Sequence, residues 1–213
     1  IKLALQSQQG GVKAEGEAGD PPGGNKTGRA QTTGRSTNRG SASARQRYKR
    51  ALTAITNVSM GHNVDNQNMV REAGGIPLIV SLVQGGPDSK VTCEATSALR
   101  HLTYDNEENA NALRDAGGIV WMVSLLQSGP EHPTTTDAAA TLTQLSISPT
   151  NQDAVREAGG IRALLSVVTS GDEGTSSTIW AARCLARLAL NNTTNRNIIG
   201  EQQGTIARLV TLM

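Results

Sequence analysis

The sequence predicts an all-α fold in which short helical units repeat along the chain. The segment "VREAGGI" stands at residues 70–76 and again at 155–161, and "LRDAGGI" lies between them at 113–119. Aromatic residues make up only 2% of the 213 residues and Phe is absent, so a core has to be built from Leu, Ile, Val and Ala. Such residues suit closely packed helices, and repetition at a fixed period is typical of a solenoid.

Two independent patterns give the period of the repeat. The Ile that closes each copy of the segment recurs at spacings of 43, 42 and 45, at Ile76, Ile119, Ile161 and Ile206. A second pattern, in segments such as "ALRHLT" and "TLTQLS", recurs at spacings of 44, 43 and 43, at Asn57, His101, Gln144 and Arg187. Because the two patterns keep the same period, we infer a true structural repeat.

Each repeat is predicted to contain three helices. In the middle repeat, "NEENANALRDAG" (106–117) begins with residues that favour a helix N-terminus and ends in glycine, which favours a helix C-terminus. The apolar "GIVWMVSLLQSG" (118–129) follows as a second helix, and Pro130 and Pro133 open a third. In the corner between the first two helices, the first glycine can adopt a positive φ and the second allows close backbone approach.

These features resemble the armadillo repeats of the beta-catenin and importin-alpha superfamily. The likeness rests on "VREAGGIPLIVSLVQGG" followed by "EATSALRHLT", at the ~40 to 47-residue period of that group, and covers about residues 46–213. HEAT repeats are the nearest alternative, but they usually have two helices and lack this corner. The resemblance implies a right-handed α-α superhelix, the armadillo-repeat solenoid with three helices per repeat.

The repeat pattern also predicts the domain organisation. We expect the third helix of a leading repeat at 46–60, full repeats at about 62–103, 105–146 and 148–190, and a partial repeat at 191–213. The last segment, "IARLVTLM" (206–213), is apolar, whereas the ends of solenoids need polar caps. Further repeats or another subunit are therefore expected to cover this end, which makes the protein a subunit of a larger assembly.

The front of the chain differs in charge from the rest. Residues 1–50 hold ten basic and three acidic residues, a net charge of +7, whereas the other 163 residues hold ten basic and fifteen acidic, a net charge of −5. Residues 1–45 are rich in Gly, Ser and Arg and poor in branched apolar residues, so they are predicted to form an extended arm of low complexity. The basic residues assigned to the arm are Arg29, Arg35, Arg39, Arg45, Arg47, Lys49 and Arg50.

Three roles for the arm remain open. It could bind an acidic partner, either a protein or nucleic acid. It could fold back on the protein's own acidic groove as an autoinhibitor, as in a nuclear-transport adaptor. It could also be a solvated tail in which "RQRYKR" (45–50) is a nuclear-targeting signal.

The armadillo resemblance implies that the third helices line a concave groove that binds an extended peptide or a partner protein. The protein is therefore expected to be a non-enzymatic scaffold or adaptor. The groove positions that we select as binding candidates are Asn57, Glu94, Ser97, His101, Asp137, Gln144, Trp180, Arg183 and Arg187. The family's usual Asn is kept only at Asn57. The importin-alpha Trp four residues before it is replaced throughout, by Thr53, Ser97, Ala140 and Arg183, which argues against classical nuclear-signal binding.

The charges of these positions predict a charge pattern in the ligand. Glu94 and Asp137 favour basic ligand residues opposite the middle of the groove, and Arg183 and Arg187 favour an acidic residue or a C-terminal carboxylate near its end. The alternative is that these side chains are merely solvated helix faces.

The sequence offers no pattern for catalysis, a cofactor or a metal. Its three histidines, His62, His101 and His132, lie in different units without Cys or carboxylates at metal-ligand spacing. No run reaches the ~18 to 20 apolar residues of a membrane-spanning helix. Cys93 and Cys184 form no CxxC motif, which favours an intracellular protein, in the cytoplasm, a cytoskeletal or organelle assembly, or the nucleus.

Overall fold

The computed structural model describes residues 36–61, 63–202 and 204–211. All regular secondary structure in these ranges is α-helical, which confirms the predicted class. The helices are α1 Ser36–Ser59, α2 Val64–Glu72, α3 Gly75–Val83, α4 Lys90–Thr103, α5 Glu107–Asp115, α6 Gly118–Leu126, α7 Pro133–Leu145, α8 Pro149–Glu157, α9 Gly160–Ser170, α10 Ser176–Ala189, α11 Thr193–Glu201 and α12 Thr205–Thr211.

Helix α1 begins at Ser36, earlier than the start at residue 46 that the sequence suggested. Residues 36–45, expected to be extended, are therefore helical. Segment 42–47 contains Ala, Arg and Gln, which are good helix formers, and adding turns to an existing helix costs less than nucleating a new one. The rest of the predicted arm, with Arg29 and Arg35, lies outside the described residues, and so does the side chain of Arg39.

The third helices of successive units pack side by side, α4 against α7 and α7 against α10. Their shared core is a row of leucines, of which Leu99, Leu142 and Leu185 are 0%, 0% and 1% exposed. The second helices contribute the repeated Ile of the corner, which is buried at Ile76, Ile119 and Ile161, whereas the fourth equivalent, Ile206, is exposed. A three-helix unit is too small to bury these side chains alone, so stacking supplies the core.

The repeated glycine corner has the geometry expected from the sequence. Gly117 has a φ of 72°, the left-handed conformation that glycine adopts without steric cost. At Gly118 a Cβ atom would lie 2.9 Å from the carbonyl oxygen of Leu113, too close for any side chain. The equivalent first glycines, Gly74 and Gly159, also have positive φ values, of 72° and 80°. Local sequence thus sets the angle between the first and second helices of each unit.

Within the described ranges, no helix is long and apolar enough to span a membrane. The same ranges contain no group of three or more His, Cys, Asp or Glu side chains placed to hold a metal ion. His62 is not among the described residues.

Candidate protein-interaction surface

The nine candidates from the sequence lie on α1, α4, α7 and α10. Helices α4, α7 and α10 pack side by side, and α1 is joined to α4 through contacts of Lys49 and Thr53 with Glu94. On each helix they are three, four or seven residues apart, so they share one face. We call these nine residues the third-helix ladder. Its members are Asn57, Glu94, Ser97, His101, Asp137, Gln144, Trp180, Arg183 and Arg187.

The solvent exposure of the side chains varies along the ladder. Asn57 and Arg183 are exposed, and Glu94, Ser97, His101, Asp137, Trp180 and Arg187 are partly buried. Gln144 is only 5% exposed, so it differs from the groove position predicted for it. Its Oε1 atom is buried and accepts no hydrogen bond from any residue that the structure describes. The ladder is therefore interrupted on α7.

Both carboxylates of the ladder already have a cation from the protein itself. Lys49 Nζ lies 3.4 Å from Glu94 Oε1, and Thr53 Oγ1 donates a hydrogen bond to Glu94 Oε2 at 3.2 Å. Arg100 Nη1 donates to Asp137 Oδ1 at 2.9 Å. These contacts join α1 to α4 and α4 to α7, so the acidic part of the ladder is neutralised internally.

The two arginines at the other end, Arg183 and Arg187, contact an aromatic ring and a backbone carbonyl oxygen, respectively, instead of a carboxylate. The guanidinium carbon of Arg183 lies 5.2 Å from the centroid of the Trp180 ring, and that of Arg100 lies 5.7 Å from it. Both distances are within the range of cation–π attraction. Arg187 Nη1 donates to the carbonyl oxygen of Thr143 at 3.4 Å. Neither Arg183 nor Arg187 forms an ion pair within the described residues.

The surroundings of His101 favour its neutral form. Its pKa is lowered, first because partial burial disfavours the charged ring and second because Arg100 repels a positive charge there, although Asp137 acts in the opposite direction. A lowered pKa favours the uncharged ring at pH 7. His101 therefore adds little positive charge to the ladder at neutral pH.

Arg100 was missed by the sequence analysis. It stands one residue before His101, outside the spacing that selected the ladder, yet its side chain contacts Asp137 on α7 and Trp180 on α10. The repeat pattern carries no signal for this contact, because it depends on the reach of one long side chain across two neighbouring helices.

A second set of polar residues, also missed, ties each third helix to the first helices beside it. Asn109 Nδ2 donates to the carbonyl oxygens of Leu102 at 2.7 Å and Gln67 at 3.1 Å, and Arg71 Nη1 donates to Asn109 Oδ1 at 3.0 Å. Gln67 Nε2 donates to the carbonyl oxygen of His101 at 2.8 Å. The sequence does contain a pattern that could have identified this set, because Asn recurs at residues 66, 109, 151 and 195, close to the period of the repeat.

The C-terminal junction repeats this arrangement. Asn195 Nδ2 donates to the carbonyl oxygen of Leu188 at 2.9 Å, and Gln152 Nε2 donates to that of Arg187 at 3.0 Å. We call Gln67, Asn109, Gln152 and Asn195 the junction amides. Because two of them bond to the backbone of His101 and Arg187, they fix the helix ends that carry the ladder.

The comparisons with known proteins agree with this architecture. The model of the armadillo/beta-catenin-like repeat matches residues 63–104, which span α2, α3 and α4. A designed armadillo repeat protein is 21% identical with a TM-score of 0.68, over 76% of this chain and 66% of its own. The armadillo-repeats-only protein of Plasmodium falciparum is 18% identical with a TM-score of 0.66, over 76% of this chain and 71% of its own.

A third solved structure holds a ligand. It is a designed armadillo repeat protein in complex with the peptide (KR)4, 18% identical with a TM-score of 0.59, over 84% of this chain and 66% of that one. The chain thus spans just under two thirds of both designed proteins. No curated protein matches the sequence. At these identities the likeness establishes the fold, a right-handed superhelix of three-helix repeats.

Proposed function

We propose that this chain, which is an armadillo-repeat protein, is a non-enzymatic scaffold or adaptor that binds an extended peptide or a partner protein along the third-helix ladder. The observation that carries the proposal is the register of Asn57, His101, Arg183 and Arg187 on stacked helices, with side chains that are exposed or partly buried. A designed relative in the same fold binds a peptide, which supports this use of the fold.

The geometry suits an extended ligand. Packed helices lie ~8 to 10 Å apart, and an extended chain rises ~3.3 Å per residue, so neighbouring third helices meet ligand residues two or three positions apart. The junction amides hold the helices in place before binding, which limits the entropy lost on association. Asn57 has an amide that can both donate to and accept from a peptide backbone.

The wider assembly and the arm belong to the same proposal. Ile206 and Val210 on α12 are 58% and 62% exposed, which supports a contact with another protein at this end. Arg45, Arg47 and Arg50 are exposed on α1, which supports contact of the basic segment with an acidic partner. An autoinhibitory role for that segment gains little support, because Glu94 and Asp137 already have internal cations.

The test is selection of ligands from a phage-displayed library of random peptides, using the intact chain. We expect selected peptides to lose binding to a ladder variant, Asn57→Ala with Arg183→Glu and Arg187→Glu. The control is Arg162→Glu, a charge reversal at an exposed position of α9 that lies outside the ladder. Peptides that bind the ladder variant as well as the wild type, or that are lost only with Arg162→Glu, would place the binding surface elsewhere.

A further inference from the structure

We propose that the end of the third-helix ladder formed by Trp180, Arg183 and Arg187 recognises carboxylate side chains, so that the preferred ligand is an acidic extended peptide. This inference rests on the proposed function and specifies its ligand class. It keeps the acidic ligand residue that the sequence analysis expected near Arg183 and Arg187, and it drops the basic ligand residues expected opposite Glu94 and Asp137.

The first step is the charge that the ladder has available for a ligand. Glu94 is paired with Lys49 and Asp137 with Arg100, so each carboxylate is offset by a cation of the same protein. A basic ligand would have to displace one of these cations to gain an ion pair there. Arg183 and Arg187 have no such partner among the described residues, and the charge left for a ligand is therefore positive.

The second step is the orientation of these arginines. Trp180, Arg183 and Arg187 are three and four residues apart on α10 and lie on one face. The Trp180 ring lies 5.2 Å from the Arg183 guanidinium carbon, and the Arg187 guanidinium is anchored at 3.4 Å to the Thr143 carbonyl oxygen. A guanidinium that is already oriented loses less entropy on binding, and its planar fork matches a carboxylate with two hydrogen bonds.

The third step favours a peptide over nucleic acid. Single-stranded nucleic acid is held by successive aromatic rings on which bases stack, in addition to positive charge. The ladder has one aromatic residue, Trp180, and that ring already contacts Arg100 and Arg183. Side chains that recur from one third helix to the next can instead contact the backbone and side chains of an extended peptide.

The proposal sets this chain apart from its designed relative. That protein is complexed with (KR)4, a peptide of alternating Lys and Arg. We expect this chain to prefer a peptide of the opposite charge. Both carboxylates of its ladder are paired with a cation, whereas Arg183 and Arg187 have no ion-pair partner among the described residues.

The experiment uses Trp180 as its reporter. The chain has two tryptophans, so Trp121→Phe leaves Trp180 as the single tryptophan, whose fluorescence is excited selectively at wavelengths that the two tyrosines do not absorb. This protein is titrated with three peptides of equal length, an alternating Glu-Ala peptide, (KR)4 and an alternating Ser-Ala peptide, and with an oligothymidylate. We expect the acidic peptide to bind at least ~10-fold more tightly than (KR)4, and its affinity to fall as salt is raised.

Variants then locate the effect. Arg187→Gln should lower the affinity for the acidic peptide several-fold and leave the affinity for (KR)4 unchanged, whereas Arg162→Gln should change neither affinity. Arg100→Gln removes the cation paired with Asp137 and should reduce the difference in affinity between the two peptides. Urea unfolding of each variant separates a binding effect from a loss of folding.

The outcomes separate the two proposals. Tighter binding of (KR)4 than of the acidic peptide overturns the acidic preference and leaves the scaffold function standing. Tighter binding of oligothymidylate, with the same dependence on Arg187, overturns the choice of a peptide. If no peptide binds the folded protein, and the phage selection also yields none, the proposed function fails and this inference fails with it.

Discussion

Asn109 and Asn57 carry the same side chain in two different regions of the repeat. Asn109, at a junction between units, is 0% exposed and its amide makes three hydrogen bonds, with Leu102, Gln67 and Arg71. Asn57, on the third-helix ladder, is exposed, and its side chain bonds to no other described residue. The contrast shows that this fold uses amides both to join its repeats and to face solvent, where a ligand can reach them.

The two regions are connected through the backbone. Gln67 bonds to the carbonyl oxygen of His101, and Gln152 bonds to that of Arg187. Each of these ladder residues thus presents its side chain from a helix end that a junction amide holds. A junction variant should therefore act first on stability, and a ladder variant first on binding.

The largest effect that tests this division is expected from Asn109→Ala. It removes three hydrogen bonds, one of them from a guanidinium, and leaves two buried carbonyl oxygens without this donor, so we expect a loss of roughly 2 to 4 kcal/mol of unfolding free energy. The matched change Asn57→Ala should cost less than about 0.5 kcal/mol, as expected for an exposed side chain. Urea denaturation of both variants measures the difference. Equal losses would remove the distinction between the regions.

The glycine corner, the leucine row and the face of the ladder were predictable from the sequence. The glycine corner and the leucine row follow from local rules, since Gly117 needs a positive φ and Leu99 repeats at the period of the unit. The face of the ladder was also assigned from spacing, and Gln144 shows the limit of that rule. Spacing places a residue on a face, but burial depends on which neighbouring side chains cover it.

Contacts between units were the part that the sequence did not reveal. Arg100 reaches Trp180 from α4 to α10, and Lys49 reaches Glu94 from α1 to α4, through rotamers and helix packing that no spacing encodes. The start of α1 is a different case, because its extension into 36–45 follows from local helix propensity and from propagation of an existing helix. The missed contacts between units are tertiary in origin.

A smaller effect is expected from pH, through His101. Its folded-state pKa is lowered, mainly by burial, so the unfolded chain takes up a proton more readily than the folded one. The contribution of neutral His101 to the unfolding free energy is fully present above the unfolded pKa of ~6.5 and is lost as the pH falls below it. Urea unfolding at pH 7.5 and 5.5 should show a larger loss for the wild type than for His101→Gln. Equal losses would mean that His101 titrates as it does in the unfolded chain.

The smallest effect is expected from Gln144→Met. This substitution tests whether Gln144 belongs to the ladder or has a structural role like that of the junction amides. The residue is in register with the ladder, but it is buried, and its Oε1 has no hydrogen-bond partner in the described part of the chain. An unsatisfied buried oxygen is costly, and Met has similar length without a polar group, so we expect unfolding free energy to stay within about 1 kcal/mol of the wild type or to rise.

The same substitution at a junction amide provides the control for Gln144→Met. Gln152 Nε2 donates to the carbonyl oxygens of Ser146, Arg187 and Leu190, so Gln152→Met should lower the unfolding free energy by roughly 1 to 3 kcal/mol. Thermal and urea unfolding of the two variants give the comparison, and titration with the acidic peptide shows whether the ladder is affected. If Gln144→Met weakens the peptide without loss of stability, Gln144 opens on binding and belongs to the ladder. If it destabilises the protein as much as Gln152→Met, its amide has a structural role like that of the junction.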